Sequence, residues 1–448
     1  MDRRKGGETM KNWKQILAGI LIVTMTIPLV ACGKSDVPDN TETTEIVSNC
    51  KTYNPEDAQN AVMDFSVRLF QNTVNPPYES DKIADDNVLI APTSVLTALA
   101  MTANGAKNDT LAQMEEVFGI GCEPLRDYMR TYLENLPNEE KYKLHMANSI
   151  WIKDDEDFTV NEDFVEINES FFDANVFEKE FDQKTLREIN DWVEDNTDGM
   201  IEEVLNEIPE DALMYLINAL AFEAEWEEIY KTTQIREGKF TLANGITQDV
   251  EFMHSEENLY LEDENATGFL KYYKDRKYAF VALLPNEGVR IPEYVESMSG
   301  SSLKELLDNA KEIQVNASIP KFDVEDDILL NDTLKVMGMV DVFDANKADL
   351  SGIGTHADGN LFVNRVIHKT HMQVDEKGTK AGAATVVEVN LESAMEMKEV
   401  KTVRLDRPFI YMIIDCETNQ PIFMGTMQQV KTLLKCGVTD ICEYPVQD

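Results

Sequence analysis

The histidines and glycines of this 448-residue chain offer the first candidates for chemistry: a metal site and a nucleotide site. His368 and His371 lie three residues apart, which on a β-strand places them on opposite faces and makes them a poor metal pair. Residues 352–357 are the nearest match to a dinucleotide-binding loop, but alanine stands where the third glycine belongs. The sequence has no GxSxG elbow, P-loop or HExxH motif. We therefore expect neither an enzyme nor a metal or cofactor site.

Residues 379–390 carry the most informative spacing. Read with the two-residue period of a strand, one face is small and apolar: Thr379, Ala381, Ala383, Thr385, Val387 and Val389. The other face is small or charged: Lys380, Gly382, Ala384, Val386, Glu388 and Asn390. A permanently exposed loop has no reason to alternate in this way, whereas a permanent strand does not normally open with Glu-Lys-Gly. The pattern predicts a loop that can become a strand; an ordinary alanine-rich strand or helix is the alternative.

The elements that position this loop belong to one large mixed domain. An apolar stripe with spacings of three and four begins at Asp57, as in an amphipathic helix, and helical patterns also cover residues 186–193 and 329–336. No repeat of 20–50 residues and no Gly/Pro/Ser-rich linker divides residues 58–428. We expect an α+β fold. Its strand-like runs cover residues 145–152, 214–222, 278–284, 313–319, 362–374 and 409–416.

Composition excludes several classes of protein. Apolar residues make up 43% of the chain and charged residues 28%, which is typical of a globular protein. The formal charge of −42 argues against nucleic acid as a partner, because nucleic-acid binding needs a basic surface to displace counterions. Six cysteines without a CxxC pair, and only five histidines, predict neither a zinc ribbon nor a disulfide scaffold.

The N-terminus reads as an export signal. Basic residues precede an apolar run at residues 16–30, which is too short for the roughly 20 residues of a membrane span. The run ends in Leu-Val-Ala-Cys-Gly, which resembles the lipobox of bacterial lipoproteins, in which the cysteine is lipidated and becomes the first residue. We predict a signal peptide at residues 1–31 and lipidation of Cys32; an ordinary signal peptide with a stray cysteine is the alternative. Loss of residues 1–31, which hold five basic and two acidic residues, leaves a formal charge of −45.

Two further segments flank the domain. Residues 32–57 contain the lipidated cysteine and a polar stretch without apolar periodicity, which predicts a flexible tether. Residues 429–448 form a C-terminal tail of unknown role that holds Cys436 and Cys442. We expect a protein exported and lipid-anchored at a bacterial cell surface, or released outside the cell, that contacts the membrane through its anchor alone.

Several segments together resemble the serpin family. Residues 366–389 (VIHKTHMQVDEKGTKAGAATVVEV) are similar to the hinge of the serpin reactive-centre loop, and residues 405–427 (LDRPFIYMIIDCETNQPIFMGTM) to the C-terminal signature. The resemblance continues upstream and covers about 370 residues in the expected order. It implies the serpin fold, with a large mixed central sheet, flanking helices and an exposed reactive-centre loop. The upstream segments are residues 87–114, 145–152, 189–205, 216–226 and 319–353.

The resemblance also assigns roles to individual residues. Ser94, Asn218 and His368 would form the buried polar "shutter" beneath the central sheet, and Trp226 would lie at the "breach" at its top. Ala91 stands where the family usually has serine, and Glu223-Ala224 replaces the usual Lys-Gly. The hinge would comprise Glu376, Gly378, Thr379, Lys380, Ala381, Gly382, Ala383, Ala384 and Thr385.

By the same resemblance the protein would inhibit serine proteases as a suicide substrate, because the protease cleaves it in the process. The protease would attack the loop and form an acyl-enzyme with it. The cut loop would then enter the sheet and trap the attached protease. No proline or charge occupies the inward positions of the hinge, which favours an inhibitor. We also expect a monomer that needs no cofactor. A non-inhibitory serpin that serves as a binding protein is the alternative. A solute-binding lipoprotein would share the anchor but would not explain the hinge.

The reactive bond is less narrowly defined. Counting from the hinge as the family does places it at Glu392-Ser393, whereas counting back from Pro408 shifts it toward Met395 or Met397. Glu392 would suit a glutamyl-specific protease with a basic first pocket. Elastase-like or chymotrypsin-like proteases would instead be selected by Leu391, Met395 or Val389.

Overall fold

The computed structural model describes residues 54–77, 86–137, 139, 142–210, 212–357, 359–379 and 399–430. Asn54 caps the first helix by accepting a hydrogen bond from the backbone N–H of Glu56, so the folded part begins slightly before the expected position near Asp57. The helices are α1 (Pro55–Val74), α2 (Pro92–Ala103), α3 (Asn108–Phe118), α4 (Cys122–Glu134), α5 (Glu162–Phe172), α6 (Gln183–Asn196), α7 (Ile291–Ser297), α8 (Gly300–Asp308) and α9 (Asn331–Met337).

The strands form two large sheets and one small pair. In the described residues a nine-stranded sheet has the order β1-β17-β16-β9-β8-β7-β10-β15, with β6 also paired to β7, and a six-stranded sheet has the order β11-β13-β14-β5-β2-β4. The strands are β1 (Val88–Ile90), β2 (Tyr142–Lys153), β3 (Phe158–Val160), β4 (Ala174–Lys179), β5 (Met214–Glu225), β6 (Ile235–Thr241), β7 (Thr247–Glu262), β8 (Ala266–Tyr272), β9 (Tyr278–Pro285), β10 (Lys311–Pro320), β11 (Phe322–Leu329), β12 (Gly354–His356), β13 (Ile367–Val374), β14 (Gly378–Thr379), β15 (Val400–Arg404), β16 (Phe409–Asp415) and β17 (Pro421–Met427).

The nine-stranded sheet forms the solid part of the core. Every residue of β9, β16 and β17 is buried, and β16 pairs with both of the others along its length. Such continuous apolar runs are typical of strands covered on both faces. Val430, directly after this sheet, is also buried, so the folded part extends beyond the boundary expected at residue 428.

The six-stranded sheet is interrupted. On one side β5 pairs with β2 over eleven residue pairs, and on the other β13 pairs with β11 over eight. Between them stands β14, which is two residues long. Within the described residues β5 and β13 have no direct pairing, so the sheet is held together across this gap by β14.

Two elements expected from the sequence begin later than predicted. The strand predicted at residues 362–374 begins at Ile367, because its partner β11 ends at Leu329, the residue that pairs with Ile367. The helix predicted at residues 329–336 begins at Asn331, since Leu329 is still part of β11. Apolar content predicted both segments, but pairing decided where each one starts.

Helix α6 and the segment after it act as one unit, here called the α6 roof (residues 183–205). The Asn190 side-chain oxygen accepts bonds from the backbone N–H groups of Val204 and Leu205, and the Thr197 hydroxyl accepts one from Ile201. The apolar side of the roof packs on β2, β4 and β5. The side chains in that cluster include Trp151, Phe177, Leu186, Ile189, Leu205, Tyr215 and Ile217.

Candidate functional site: the interrupted sheet and its hinge

A cavity of about 710 Å³ continues below β14, in the gap of the six-stranded sheet. Its walls are β5 and β13, its floor is α2, and the α6 roof covers it. Ser94 and Leu99 from the floor, Asn218 and His368 from the walls, and Val204 from the roof all line it. The gap therefore has the position and surroundings of a missing central strand.

β14 already occupies the top of this gap. Thr379 pairs with Ala224 of β5 and with Val374 of β13, and both ladders are antiparallel. Gly378 pairs with Glu225, and a side chain at this glycine would collide with the carbonyl oxygen of Ala224. Only a residue without a Cβ fits this close approach, which explains the glycine that precedes the alternating segment.

Thr379 is buried, and aromatic residues hold it in place. Its hydroxyl shares a hydrogen bond of 2.7 Å with the hydroxyl of Tyr273. Burial raises the pKa of Tyr273 far above its ordinary value, so the phenol stays neutral. The Tyr273 ring stacks on Trp226 at a centroid distance of 4.4 Å.

The turn between β13 and β14 is hydrogen-bonded to the segment that follows β5. Trp226 donates from its backbone N–H to Lys377 O and from its indole to Asp375 O, at 2.8 and 2.9 Å. Glu376 accepts a bond from Tyr230 at its carbonyl oxygen, and its carboxylate pairs with Lys321 at 2.8 Å. Partial burial alone would raise the pKa of Glu376, but the Lys321 hydrogen bond and charge outweigh it and lower that pKa.

Polar side chains surround the middle of the cavity. Asn218 donates from its amide to Asn148 Oδ1 at 2.8 Å, and Asn148 in turn donates to the Phe172 carbonyl. In the described part of the chain the buried Oδ1 of Asn218 has no hydrogen-bond partner. His368 accepts a bond of 2.9 Å at Nε2 from the backbone N–H of Ala91. An unpaired buried oxygen facing a cavity costs about 1–3 kcal/mol until a donor arrives.

The comparisons with known proteins decide the family. The family model described as "Serpin (serine protease inhibitor)" matches residues 60–430. The chain belongs to the serpin family. A curated relative, an uncharacterized serpin-like protein of Thermococcus kodakarensis, is 30% identical over 384 residues, or 83% of this chain and 85% of that protein.

Solved structures agree with this assignment. The thermophilic serpin tengpin in its native state is 47% identical, with a TM-score of 0.76 over 83% of this chain and 94% of that one. Tengpin in its latent state is 46% identical, with a TM-score of 0.74 over 85% of this chain and all of that one. The α+β serpin fold implied by the sequence is confirmed, and members of this family are in general protease inhibitors rather than enzymes.

The structure brings the residues assigned to the serpin shutter around one cavity. Ser94, Asn218 and His368 all line it, although Asn218 is half-buried rather than buried because the gap exposes its edge of β5. Trp226 lies at the upper end of the same gap, beside the hinge. His371, on the opposite face of β13 from His368, also lines the cavity, on the side of the α6 roof.

The structure shows what replaces the usual serpin contacts at Ala91 and at Glu223-Ala224. At Ala91, where the family usually has a serine hydroxyl, the backbone N–H supplies the bond to His368. Glu223 lies 3.9 Å from Lys143 of β2, and the carbonyl of Ala224 is the group that approaches Gly378. Both positions still contact the gap.

The remaining serpin site residues lie outside the described ranges. They are the hinge residues Lys380, Ala381, Gly382, Ala383, Ala384 and Thr385, the reactive-bond candidates Leu391, Glu392, Ser393, Met395 and Met397, and the lipidation site Cys32. The assignments for these residues stay predictions.

Sequence reasoning missed three partners of the site: Tyr273, Asn148 and Lys321. Asn148 offered a signal, since it is a polar residue on the inward face of an apolar strand. Tyr273 and Lys321 offered none, because each is brought to the hinge by pairing between distant strands.

The described residues also bear on metal binding and on membrane insertion. No group of three or more His, Cys, Asp or Glu side chains there could hold a metal ion. Within the same ranges no helix combines the length and the apolarity needed to cross a membrane.

Proposed function

We propose that this serpin inhibits serine proteases by inserting its cut reactive-centre loop into the gap between β5 and β13. The observation that carries the proposal is β14: Gly378 pairs with β5, and Thr379, the first residue of the alternating segment, already pairs with both walls. Below them the cavity continues along the path that a longer strand would take. That a related serpin, tengpin, has been solved in native and latent states supports the view that this fold has more than one arrangement.

The observed pairing predicts where each loop residue would go. Because Thr379 pairs with Ala224 and Val374, continuing both ladders one residue at a time places Thr385 between Asn218 and His368. A threonine hydroxyl at that point can donate to the unpaired Asn218 oxygen. The register thus brings the hydroxyl of Thr385 to the Asn218 oxygen that lacks a donor.

The first step of the same register supports insertion as well. Lys380 would lie directly opposite Glu223. Opposite charges in facing positions of an antiparallel pair contribute about 0.2–1 kcal/mol. The unusual glutamate at position 223 is therefore matched to the lysine that follows the hinge threonine.

Insertion would also add hydrogen bonds to the six-stranded sheet. β5 and β13 both run antiparallel to β14 and therefore parallel to each other, so an inserted strand gives each wall an antiparallel neighbour. Ten residues, 380–389, would reach from Glu223 to Met214 at the far end of β5. At about 0.5–1.5 kcal/mol for each new hydrogen bond, the gain is of the order of ten kcal/mol. A folded protease is stable by only about 5–15 kcal/mol, so an energy gain of this size is large enough to distort its active site.

A mixing experiment tests the proposal. The purified protein is incubated with an elastase, a chymotrypsin, a trypsin and a glutamyl endopeptidase, and the products are separated on denaturing gels. A complex that survives boiling is expected with at least one of them. Cleavage by all four proteases without such a complex would contradict inhibition and favour a non-inhibitory binding protein.

The released C-terminal peptide identifies the reactive bond. Mass spectrometry of that peptide is expected to show a cut at Glu392-Ser393. A mass that places the cut after Leu391, Met395 or Met397 would instead assign the target to the elastase-like or chymotrypsin-like class.

We also propose export and lipid anchoring through Cys32, which rests on the N-terminal sequence alone. Expression in a bacterial host should give a membrane-bound form that loses residues 1–31 and gains the mass of a lipid. The Cys32→Ala variant should lack that lipid. Lipid-free wild-type protein in the culture medium would support an ordinary signal peptide instead.

A further inference from the structure

His371 connects the α6 roof, which covers the gap, to strand β11 at one side of the gap. It stands on the outer face of β13, and its Nδ1 lies 3.2 Å from the carbonyl oxygen of Met200 in the α6 roof. Its Nε2 lies 2.7 Å from the carboxylate of Asp323 on β11. About 29% of its side chain and 28% of that of Asp323 are exposed.

The partners of His371 determine which form of the ring fits. A carbonyl oxygen and an ionised carboxylate both accept hydrogen bonds and donate none. A neutral imidazole has one N–H and can satisfy one of them, whereas the imidazolium cation has two and satisfies both. The observed geometry is therefore complete only when His371 is protonated.

The α6 roof is attached on the other side of the gap as well. Asn196 Oδ1 lies 3.2 Å from Nε2 of His145, and Asp198 pairs with Lys143 at 2.5 Å. Both of these partners belong to β2. The roof is thus tied to β2 on one side and to β13 on the other, and it spans the cavity between them.

We propose that His371 is a positioning residue that ties the α6 roof across the gap in a pH-dependent way and thereby sets how fast a strand can enter. The inference rests on the proposed function, because it concerns the same gap. A strand that enters between β5 and β13 passes beneath the roof. The Met200–His371 bond ties the roof to β13 beside that path, so its loss should make it easier for the roof to lift.

Charges around His371 bias the tie. On β11, Asp323 contacts the ring and Glu325 pairs directly with His371 in the ladder. On β13, Lys369 is occupied by Asp327 at 3.1 Å. On the roof, Glu202 and Glu203 follow Met200 closely in the chain. Acidic groups therefore predominate around the ring, and the cation is the form that donates to both of its acceptors.

The test measures entry of a strand directly. A synthetic peptide with the sequence of residues 379–390 is mixed with the full chain, and its incorporation is followed on native gels between pH 5.5 and 8. Loss of one charge-assisted hydrogen bond at a partly exposed site corresponds to roughly tenfold in rate. We therefore expect the wild type to incorporate the peptide about tenfold faster at pH 8 than at pH 5.5.

Three variants separate the tie from general effects of pH. His371→Gln should incorporate the peptide rapidly at every pH, because its amide does not titrate. Asp323→Asn should lessen the pH dependence, because an amide can donate to the neutral ring and the two bonds then no longer require the cation. His145→Gln is the matched control: it removes a titrating histidine from the β2 side of the roof and should keep the wild-type profile.

The outcomes distinguish this inference from the proposed function. Equal pH profiles for the wild type and His371→Gln, with peptide incorporated in both, would overturn the role of His371 and leave loop insertion intact. Loss of the pH dependence in His145→Gln instead would overturn it too, because the tie would then be on the other side. No incorporation by any folded variant at any pH would overturn insertion itself, and this inference with it.

Discussion

In the nine-stranded sheet, β9, β16 and β17 are buried along their whole length and paired on both sides. In the six-stranded sheet, the strands β5 and β13 face a cavity and are joined at the top by two residues. The same chain therefore contains a sheet with all its strands in place and a sheet arranged around a missing one. The comparison separates stability from function: the first sheet should govern unfolding, and the second should govern what happens to the loop.

The largest effect is expected in the complete sheet. Ile413 is fully buried at the centre of β16, and Ile413→Ala should lower the free energy of unfolding by about 2–5 kcal/mol, through lost burial and the resulting cavity. Urea denaturation measures this loss. The exposed Ile246 is the control, since Ile246→Ala should change stability by less than about 0.5 kcal/mol. Equal losses at the two positions would remove the distinction between core and surface.

The next effect concerns the hinge. Thr379 is buried beside Tyr273, and Thr379→Arg would place an unpaired charge between the two walls. The fraction of cleavage events that give a trapped protease should fall about a hundredfold, since desolvating an unpaired charge costs several kcal/mol. Quantitative gels with the target protease measure this fraction. Thr379→Ser keeps the hydroxyl and should behave as wild type; an unchanged fraction in the arginine variant would contradict insertion at this site.

A smaller effect separates two buried tyrosines. Tyr273→Phe removes the bond to Thr379 and should weaken the docking of β14 by about 1 kcal/mol. Tyr278→Phe removes a buried hydroxyl that has no partner in the described residues, so the hinge should be unaffected. Amide hydrogen exchange of residues 376–379 should accelerate about fivefold in the first variant only. Acceleration in both variants would show that the aromatic cluster, and not the bond, holds the hinge.

The smallest effect is the pH dependence of the stability that Glu376 contributes in the turn between β13 and β14. Because the Lys321 pair lowers the pKa of Glu376, the pair stabilises the fold above the ordinary carboxyl pKa and is lost as the pH falls through the lowered value. The Glu376 side chain is about a third exposed, so the contribution should stay below about 1 kcal/mol. Melting curves of wild type and Glu376→Gln should differ at pH 6 and converge near pH 3. A constant difference across this range would assign the effect of the substitution to packing.

The sequence allowed the fold and much of the site to be predicted. The alternation of residues 379–390 indicated a segment able to become a strand, and the family resemblance assigned Ser94, Asn218, His368 and Trp226 to one region. These predictions worked because local patterns and ordered motifs are properties of the chain itself. The structure places all four around the gap or at its upper end.

The remaining features depend on contacts between distant parts of the chain. Tyr273 reaches Thr379 across 106 residues, and Lys321 reaches Glu376 from the link between β10 and β11. The start of β13 at Ile367 was set by the end of β11 and not by the apolar run that begins at residue 362. Register and pairing across such separations leave no trace in local periodicity.

The short strand β1 should decide which strands stay in place during the proposed insertion. Leu89 is bonded through its N–H to Asp326 of β11 and through its carbonyl to Thr370 of β13, and Ala91 is bonded to His368. β1 itself is paired to β17. These bonds join β11 and β13 to the nine-stranded sheet, so the proposed entry of a strand should displace β2, β4, β5 and α6 instead. A spin label on α6 should move away from one on β11 by about one strand spacing, roughly 4.8 Å, while labels on β11 and β17 keep their distance.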